Sequence, residues 1–254
     1  MGSHYRMYDD LVDYWPLLSS PEDYKSESSC WNQALREKLG PGKHPILEFG
    51  IGAGDNLSHF AAEFKVTGVD LSEKMLELSR QKNPTVEHIV GDMRSIRLKR
   101  KFKAVIIHDA ISYLTSERDL LDTFVAAAAH LEPGGIFITA PEWYKETHKK
   151  GAAYHITRRR NGLELTFIQY DTYPIPDDTL LQCLMLYLIS EKGKIRVEQD
   201  LQQTGIFPLS VWEILLADAG FSLEKRPYPI YADGRESFLL IGTLKQAAKS
   251  TRVD

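Results

Sequence analysis

Cysteine is scarce in this chain: there are two in 254 residues, Cys30 and Cys183, in unrelated surroundings. That excludes a disulfide framework and a cysteine-based metal centre, and it fits reduced thiols in the cytoplasm, although the two could still pair. No apolar run approaches the ~18 residues of a membrane-spanning helix. An excess of one charge is missing too. A formal charge of -4 and an isoelectric point near 6.1 leave no electrostatic footprint for nucleic acid or an anionic membrane. The short basic runs Lys99-Arg100-Lys101 and Arg158-Arg159-Arg160 are flanked by strand-like sequence and read as solvated loop faces. Repeats and low-complexity segments are absent. The opening Met1-Gly2-Ser3-His4 lacks a signal-type apolar stretch and reads as an expression scar, with Met7 the candidate natural start.

What is there is an alternation. Strand-like β-branched runs fall at 46–50, 66–70, 86–90, 104–108 and 136–139, with helical patterns between them at 55–63, 72–81 and 117–131. Apolar runs without a period of two mean strands buried on both faces, so the expected fold is α/β, a doubly wound parallel sheet. The second half differs. Segments 156–160 and 163–170 flank Asn161-Gly162, a pair suited to a type I′ hairpin turn. Segments 180–190 and 194–203 follow around Lys192-Gly193, and together these strands predict an antiparallel excursion. A helix over 209–219 ends at Gly220, and strands at 221–226 and 237–244 close the chain. Helices over 8–18 and 24–39 precede the core. The expected organisation is one domain, 1–254: a helical lid (1–40), a core (41–140), an antiparallel insertion (141–205), and the last helix and strands (206–254).

The sharpest signal is Ile46-Leu47-Glu48-Phe49-Gly50-Ile51-Gly52-Ala53-Gly54-Asp55, a strand running through a glycine-rich turn. Glycines 50, 52 and 54 are expected to clear Cβ atoms from a ligand lying against the backbone. A dinucleotide fingerprint, G-x-G-x-x-G, would need glycine where Asp55 stands. Charge separates the two ligands further. Glu48 and Asp55 would repel a pyrophosphate, whereas S-adenosylmethionine (SAM) brings an ammonium and a sulfonium that carboxylates accommodate. Asp55 could equally be a helix N-cap. Asp70, ending the second strand, is placed for both ribose hydroxyls of an adenosyl ligand, with Ser72 the better helix cap. Leu71 and Met75 could flank the adenine or simply pack in the core. Gly91-Asp92-Met93 ends the third strand, where Asp92 could accept from the adenine amino group and the Met93 N–H could reach a ring nitrogen.

After the fourth strand come His108 and Asp109, at the strand ends where ligands lie in open parallel sheets. Either they orient the acceptor or His108 removes its proton, or they are only contacts to the methionine part of the cofactor. Leu131-Glu132-Pro133-Gly134-Gly135 is structural punctuation, and the adjacent His130 reads as a helix-end histidine.

This order of motifs resembles the class I SAM-dependent methyltransferases. Gly91-Asp92-Met93-Arg94, Leu98-Lys99-Arg100-Lys101-Phe102, Ser112-Tyr113-Leu114, His130-Leu131-Glu132-Pro133-Gly134-Gly135 and Pro141-Glu142-Trp143-Tyr144-Lys145-Glu146-Thr147 resemble one branch, the amino-sugar N,N-dimethyltransferases of macrolide antibiotic pathways. The resemblance implies a Rossmann-like mixed sheet of seven strands, the last antiparallel. It implies SAM bound by Gly50, Gly52 and Asp70, with Asp92 and Met93 at the adenine, Tyr14 covering the cofactor, and S-adenosylhomocysteine as product. The chain departs from that branch at His108 and Asp109, where small or apolar residues are the pattern, and around 170–178.

Because SAM is already activated, positioning does most of the work, and good alignment supplies up to about 7–11 kcal/mol. The expected catalytic set is His108, Asp109 and Tyr14, with Tyr8, Tyr14 and Trp15 forming a lid. Asp171, Asp177, Asp178, Glu198 and Asp200 make the insertion acidic, which suits a cationic amine as well as an ordinary solvated loop. The first expectation is N-methylation of a small amine. The others are O- or C-methylation with His108 as base, a non-catalytic SAM-binding module, and, remotely, an NAD-dependent dehydrogenase. A homodimer is left open.

Overall fold

The computed structural model describes residues 5–148, 151, 153–173, 179–231 and 234–245. Seven strands form one sheet: β1 (Pro45–Phe49), β2 (Lys65–Asp70), β3 (Glu87–Val90), β4 (Phe102–Ile107), β5 (Leu131–Thr139), β10 (Phe221–Pro227) and β11 (Phe238–Leu244). Their order is β10-β11-β5-β4-β1-β2-β3. β1 pairs in parallel with both β2 and β4, and β11 runs antiparallel to both β5 and β10. The winding reverses between β1 and β4, the switch point beyond which open α/β sheets hold their ligands. The doubly wound mixed sheet with an antiparallel last strand is therefore present.

Side chains of each central strand alternate between two cores, as a strand's period of two requires. Leu47, Phe49, Val105, Ile107 and Phe137 pack against α4 (Glu117–His130) and α5 (Leu209–Asp218) through Leu120, Phe124, Trp212 and Leu216. Ile46, Ala104, Ile106 and Ile138 pack against α2 (Lys25–Leu39) and α3 (Glu73–Lys82) through Trp31, Leu35 and Leu76. Ser72 caps α3, accepting from the Met75 N–H at 3.2 Å. His130 is a buried structural residue: Nδ1 meets the Ala126 carbonyl at 2.7 Å and Nε2 accepts the Leu98 N–H at 2.9 Å.

Two expected helices are not α-helices. The segment after the glycine turn forms 3-10 turns at Leu57–His59 and Ala61–Glu63. Buried Leu57, Phe60 and Phe64 hold it at a spacing of three to four, and a 3-10 turn repeats every three residues. The N-terminal segment has 3-10 turns at Arg6–Tyr8 and Val12–Tyr14, and only Trp15–Leu18 (α1) is α-helical. Pro16 has no N–H for a longer helix and sits instead in the first turn of α1.

The remaining strands make a second, antiparallel sheet: β6 (Ala153–Arg160), β7 (Leu163–Thr172), β8 (Leu180–Glu191) and β9 (Lys194–Gly205), in that order. Asn161 and Gly162 both take positive φ, 51° and 79°, at the β6–β7 turn. One face of this sheet, with Leu165, Phe167, Met185 and Tyr187, is covered by Met7, Leu11 and Leu17 of the N-terminal segment. Of the basic run at 158–160, Arg158 pairs with Asp23 at 2.7 Å and Arg159 with Glu164. Asp177 and Asp178, named from sequence as part of an acidic wall, lie outside the described residues, as does the opening tetrapeptide.

Candidate active site

A cleft of about 540 Å³ opens at the carboxyl ends of β1, β2, β3 and β4. Its floor is the turn after β1. All three glycines there have positive φ, but they do different work. A Cβ on Gly50 would overlap Ala110, and one on Gly54 would overlap Asn83 and Ser79, so both glycines answer to neighbouring protein atoms. Only Gly52 is open, its nearest neighbour being Met75 Cε at 3.6 Å. All three glycines line the cleft, and of the three the Cβ position free of overlap with protein atoms is that of Gly52.

Carboxylates surround this floor in two states. Glu48 is 2% exposed, and its Oε2 has no hydrogen-bond partner among the described residues. Burial pushes its pKa up to about 8, against the pull of the charge on His108. An acid in that condition, on the cleft wall, suits a cationic group on a ligand. Asp55, by contrast, is already satisfied: it accepts from Trp15 Nε1 at 2.9 Å and Ser19 Oγ at 3.2 Å and forms an ion pair with Lys82. It is neither a free anion nor a helix cap. It ties the N-terminal segment to the glycine turn.

Asp70 accepts the Gly52 N–H at 2.8 Å and the Ser72 N–H at 2.9 Å, one on each oxygen. Burial raises its pKa while these backbone donors oppose the rise. Each oxygen keeps a lone pair for a diol, and the two N–H groups fix the carboxylate's orientation. Met75 is buried yet also lines the cleft, and Leu71 is 60% exposed on its wall, a position an adenine ring would cover. Asp92 and Met93 also line the cleft. The Asp92 carboxylate is held by the Arg94 guanidinium at 2.6 Å, which drives its pKa down, and Arg94 also reaches Asp119 at 3.0 Å. Sequence inspection gave Arg94 no role of its own.

His108 lies between two acids. Nε2 is 2.7 Å from Glu27 and Nδ1 is 3.2 Å from Asp109. Burial opposes its charge, but Asp109 and Glu27 more than offset that and push its pKa up to about 10. With its pKa pushed that high and both nitrogens engaged by acids, the ring has no free nitrogen to take up a proton, which argues against the expected general-base role. Glu27 comes from α2, and nothing in its local sequence distinguishes it from a surface glutamate.

The roof is aromatic. Tyr5, Tyr8, Trp15, Tyr24 and Tyr113 line it, with Gln203 from β9. Tyr8 stacks on Trp15 at 5.8 Å, its hydroxyl bonds that of Tyr113, and Tyr113 donates to Gln202 at 2.9 Å. Ser72 Oγ donates to the Tyr8 carbonyl at 2.6 Å, locking the roof onto the Asp70 turn. Tyr14, expected to cover the cofactor, is not in the lining. Its hydroxyl accepts from Arg196, and its ring packs beside the antiparallel sheet. The 3-10 turn over Val12–Tyr14 directs Tyr14 outward and leaves the cover to Tyr8 and Trp15.

A second cavity of about 360 Å³ adjoins the first, sharing Tyr24 and Asp109 with it. Glu27, Glu142, Tyr154, Arg158 and Tyr231 complete much of its wall. Asp109 is 61% exposed at the junction while its other side contacts His108. The excursion acids named from sequence, Asp171, Glu198 and Asp200, line neither cavity.

A switch-point cleft with an open glycine, a buried acid whose Oε2 lacks a hydrogen-bond partner and a backbone-held aspartate suits an adenosyl group, and the chain belongs to the SAM-dependent methyltransferases. The sequence matches the Methyltransferase domain family over residues 46–135. It is 30% identical to the dTDP-3-amino-3,4,6-trideoxy-alpha-D-glucopyranose N,N-dimethyltransferase of Streptomyces venezuelae, over 86% of this chain and 93% of that one. It is also 33% identical to a putative methyltransferase of Bacillus subtilis, over 86% of this chain and 85% of the relative. Among solved structures, DesVI of Streptomyces venezuelae superposes with a TM-score of 0.78 at 27% identity, covering 93% of this chain and 98% of that one. The protein is thus a SAM-dependent enzyme of Rossmann-like fold. Among the described residues no helix is long and apolar enough to cross a membrane.

Proposed function

We propose that this enzyme methylates an amine nitrogen of a small acceptor, of the amino-sugar class on which its Streptomyces venezuelae relative acts, bound in the second cavity. SAM, when bound, supplies an activated methyl group. Glu48 is placed to receive its ammonium, Asp70 its ribose hydroxyls, Leu71 one face of its adenine, and Gly52 the close approach of its chain.

Asp109 carries the assignment. It is the exposed carboxylate on the wall of both cavities, braced from behind by the His108 imidazolium, which is itself anchored by Glu27. There it accepts an amine N–H, orients the nitrogen lone pair toward the first cavity, and balances the positive charge that methylation leaves on nitrogen. Tyr24 and the Tyr8–Tyr113 pair keep the junction dry, which strengthens each of these contacts. A neutral amine needs no dedicated base, in keeping with a histidine that is already protonated. Cys30 and Cys183 are free thiols, and a cytoplasmic setting completes the proposal.

The test is Asp109→Asn assayed with a panel of small amines and alcohols. The expected result is a 10²–10³-fold loss of kcat/KM toward amines, the scale of removing one charge-stabilising contact, with S-adenosylhomocysteine affinity within threefold of wild type. Undiminished turnover in the variant, or a wild-type preference for hydroxyl acceptors, overturns the assignment.

A further inference from the structure

Two neighbouring parallel strands deliver two carboxylates to the second cavity. β4 and β5 pair with Ile107 opposite Thr139, so Asp109 and Glu142 follow two and three residues later, off the same edge of the sheet. Both line the cavity. The proposed function gives Asp109 a task and Glu142 none. Yet Glu142 is held in place. Its Oε1 accepts from the Arg235 guanidinium at 3.3 Å. Arg235 is 11% exposed, with its guanidinium carbon 3.6 Å from the ring centre of Trp143 and 3.5 Å from that of Tyr231. A guanidinium packed against two rings fixes the carboxylate that it touches.

The surroundings also set its charge. Burial pushes the Glu142 pKa up to about 7, aided by the charges of Asp109, Asp171 and Glu27 and opposed by Arg235. The other charged groups of the cavity are engaged with one another: Arg158 pairs with Asp23 at 2.7 Å, and His108 behind the wall bridges Glu27 and Asp109. Glu142 is therefore a carboxylate at neutral pH that still takes up a proton readily, on the wall where the amine nitrogen is bound.

We propose that Glu142 is the proton acceptor that turns the bound ammonium of the acceptor into the amine that attacks, an inference that rests on the amine reading of the site. Methyl transfer itself uses no base, but a basic amine reaches the enzyme protonated and has no lone pair until that proton leaves. Glu142 receives it. The N–H bond breaks, an O–H bond forms, and a charged pair becomes a neutral acid beside a neutral amine, which a low-dielectric wall favours. The nitrogen lone pair then forms the N–C bond while the C–S bond breaks and its electron pair stays on sulfur. Asp109 faces the methylated ammonium, and Glu142 gives its proton to solvent before the next cycle.

The pH profile of kcat/KM is the test, with cyclohexylamine as a strongly basic acceptor and glucosamine as a weaker base. In wild type the acid limb belongs to Glu142 and falls near pH 7 for both amines. In Glu142→Gln the limb moves to the pKa of each amine in turn, because only the neutral form then reacts. Near neutral pH that variant loses about a hundredfold with cyclohexylamine, within the range of a lost general base, and recovers to within about threefold by about pH 9.5. Glu142→Asp keeps a limb common to both amines. The wild-type limb also persists in His108→Gln, which tells the two groups apart. S-adenosylhomocysteine affinity stays as in wild type in both Glu142 variants. A glutamine variant that keeps the limb near 7, or one equally impaired at every pH, overturns the inference while the amine reading stands. Methylation of alcohols in place of both amines overturns that reading, and the inference with it.

Discussion

The floor and the roof of the cleft are built in opposite ways. The floor is assembled from short contiguous motifs at strand ends, Glu48 to Gly52, Asp70 to Met75, and Asp92 to Arg94, held by hydrogen bonds from backbone N–H groups of these turns to the Asp70 and Asp92 carboxylates. The roof is assembled from residues far apart in sequence, Tyr8, Trp15, Tyr24, Tyr113 and Gln203, with the Tyr8 side chain meeting those of Tyr113 and Trp15. A floor of this kind is fixed by the sheet and tolerates little change. A roof of this kind rests on side-chain contacts to other elements, among them Ser72 to the Tyr8 carbonyl and Trp15 to Asp55.

The largest effect that separates the two lies in the floor. Gly50→Ala is expected to cost about 3 kcal/mol or more, because its Cβ overlaps Ala110 at a φ of +68°. Gly52→Ala should cost only ~1–2 kcal/mol in backbone strain, yet weaken S-adenosylhomocysteine binding at least tenfold. Thermal unfolding with calorimetric titration measures both, and equal behaviour of the two variants would erase the distinction between packing glycine and ligand glycine.

Glu48→Gln comes next, with a loss of S-adenosylhomocysteine affinity of about 10–100-fold, as for a hydrogen bond to a charged group. Its pH dependence has a definite sign. A carboxyl whose folded pKa is about 8 rather than 4.5 favours the folded state only while protonated, so wild type loses stability as pH rises through 8. The glutamine variant escapes that loss, and at pH 9 without ligand it should gain at least ~1 kcal/mol, roughly 2–4 °C in Tm.

His108 sits where floor meets roof, and its signature is a missing limb. With a pKa of about 10, it stays charged through neutrality, so kcat should show no ionisation near 6.5 that disappears in His108→Gln. The stability it gains from Glu27 and Asp109 is fully present below pH 6.5 and is lost as pH rises through 10, so the wild-type advantage over the variant shrinks across that window. A kinetic limb near 6.5 that is lost with the imidazole would restore the base.

The smallest effects are in the roof. Tyr8→Phe breaks the bond to Tyr113 and should lower S-adenosylhomocysteine affinity about fivefold, roughly 1 kcal/mol. Tyr14→Phe, outside the cleft, should change it less than twofold. The reverse order would place Tyr14 over the cofactor after all.

The sequence by itself determined the sheet, the glycine turn, Asp70 with its Ser72 cap, the Asn-Gly hairpin and the placement of Asp109 at a strand end. Each of these is encoded within a few residues, by apolar runs, by backbone positions that favour glycine, or by a carboxylate ending a strand. Only the tertiary structure decided which acids stay free. Asp55 and Asp92 have the same local look as Glu48, but Lys82 and Arg94 pair with the first two, whereas Glu48 Oε2 has no hydrogen-bond partner among the described residues. It alone also decided that His108 is held between two acids, because Glu27 arrives from a helix 81 residues away in sequence. Charge states and roofs depend on partners brought together by packing, and a linear pattern holds no record of those distances.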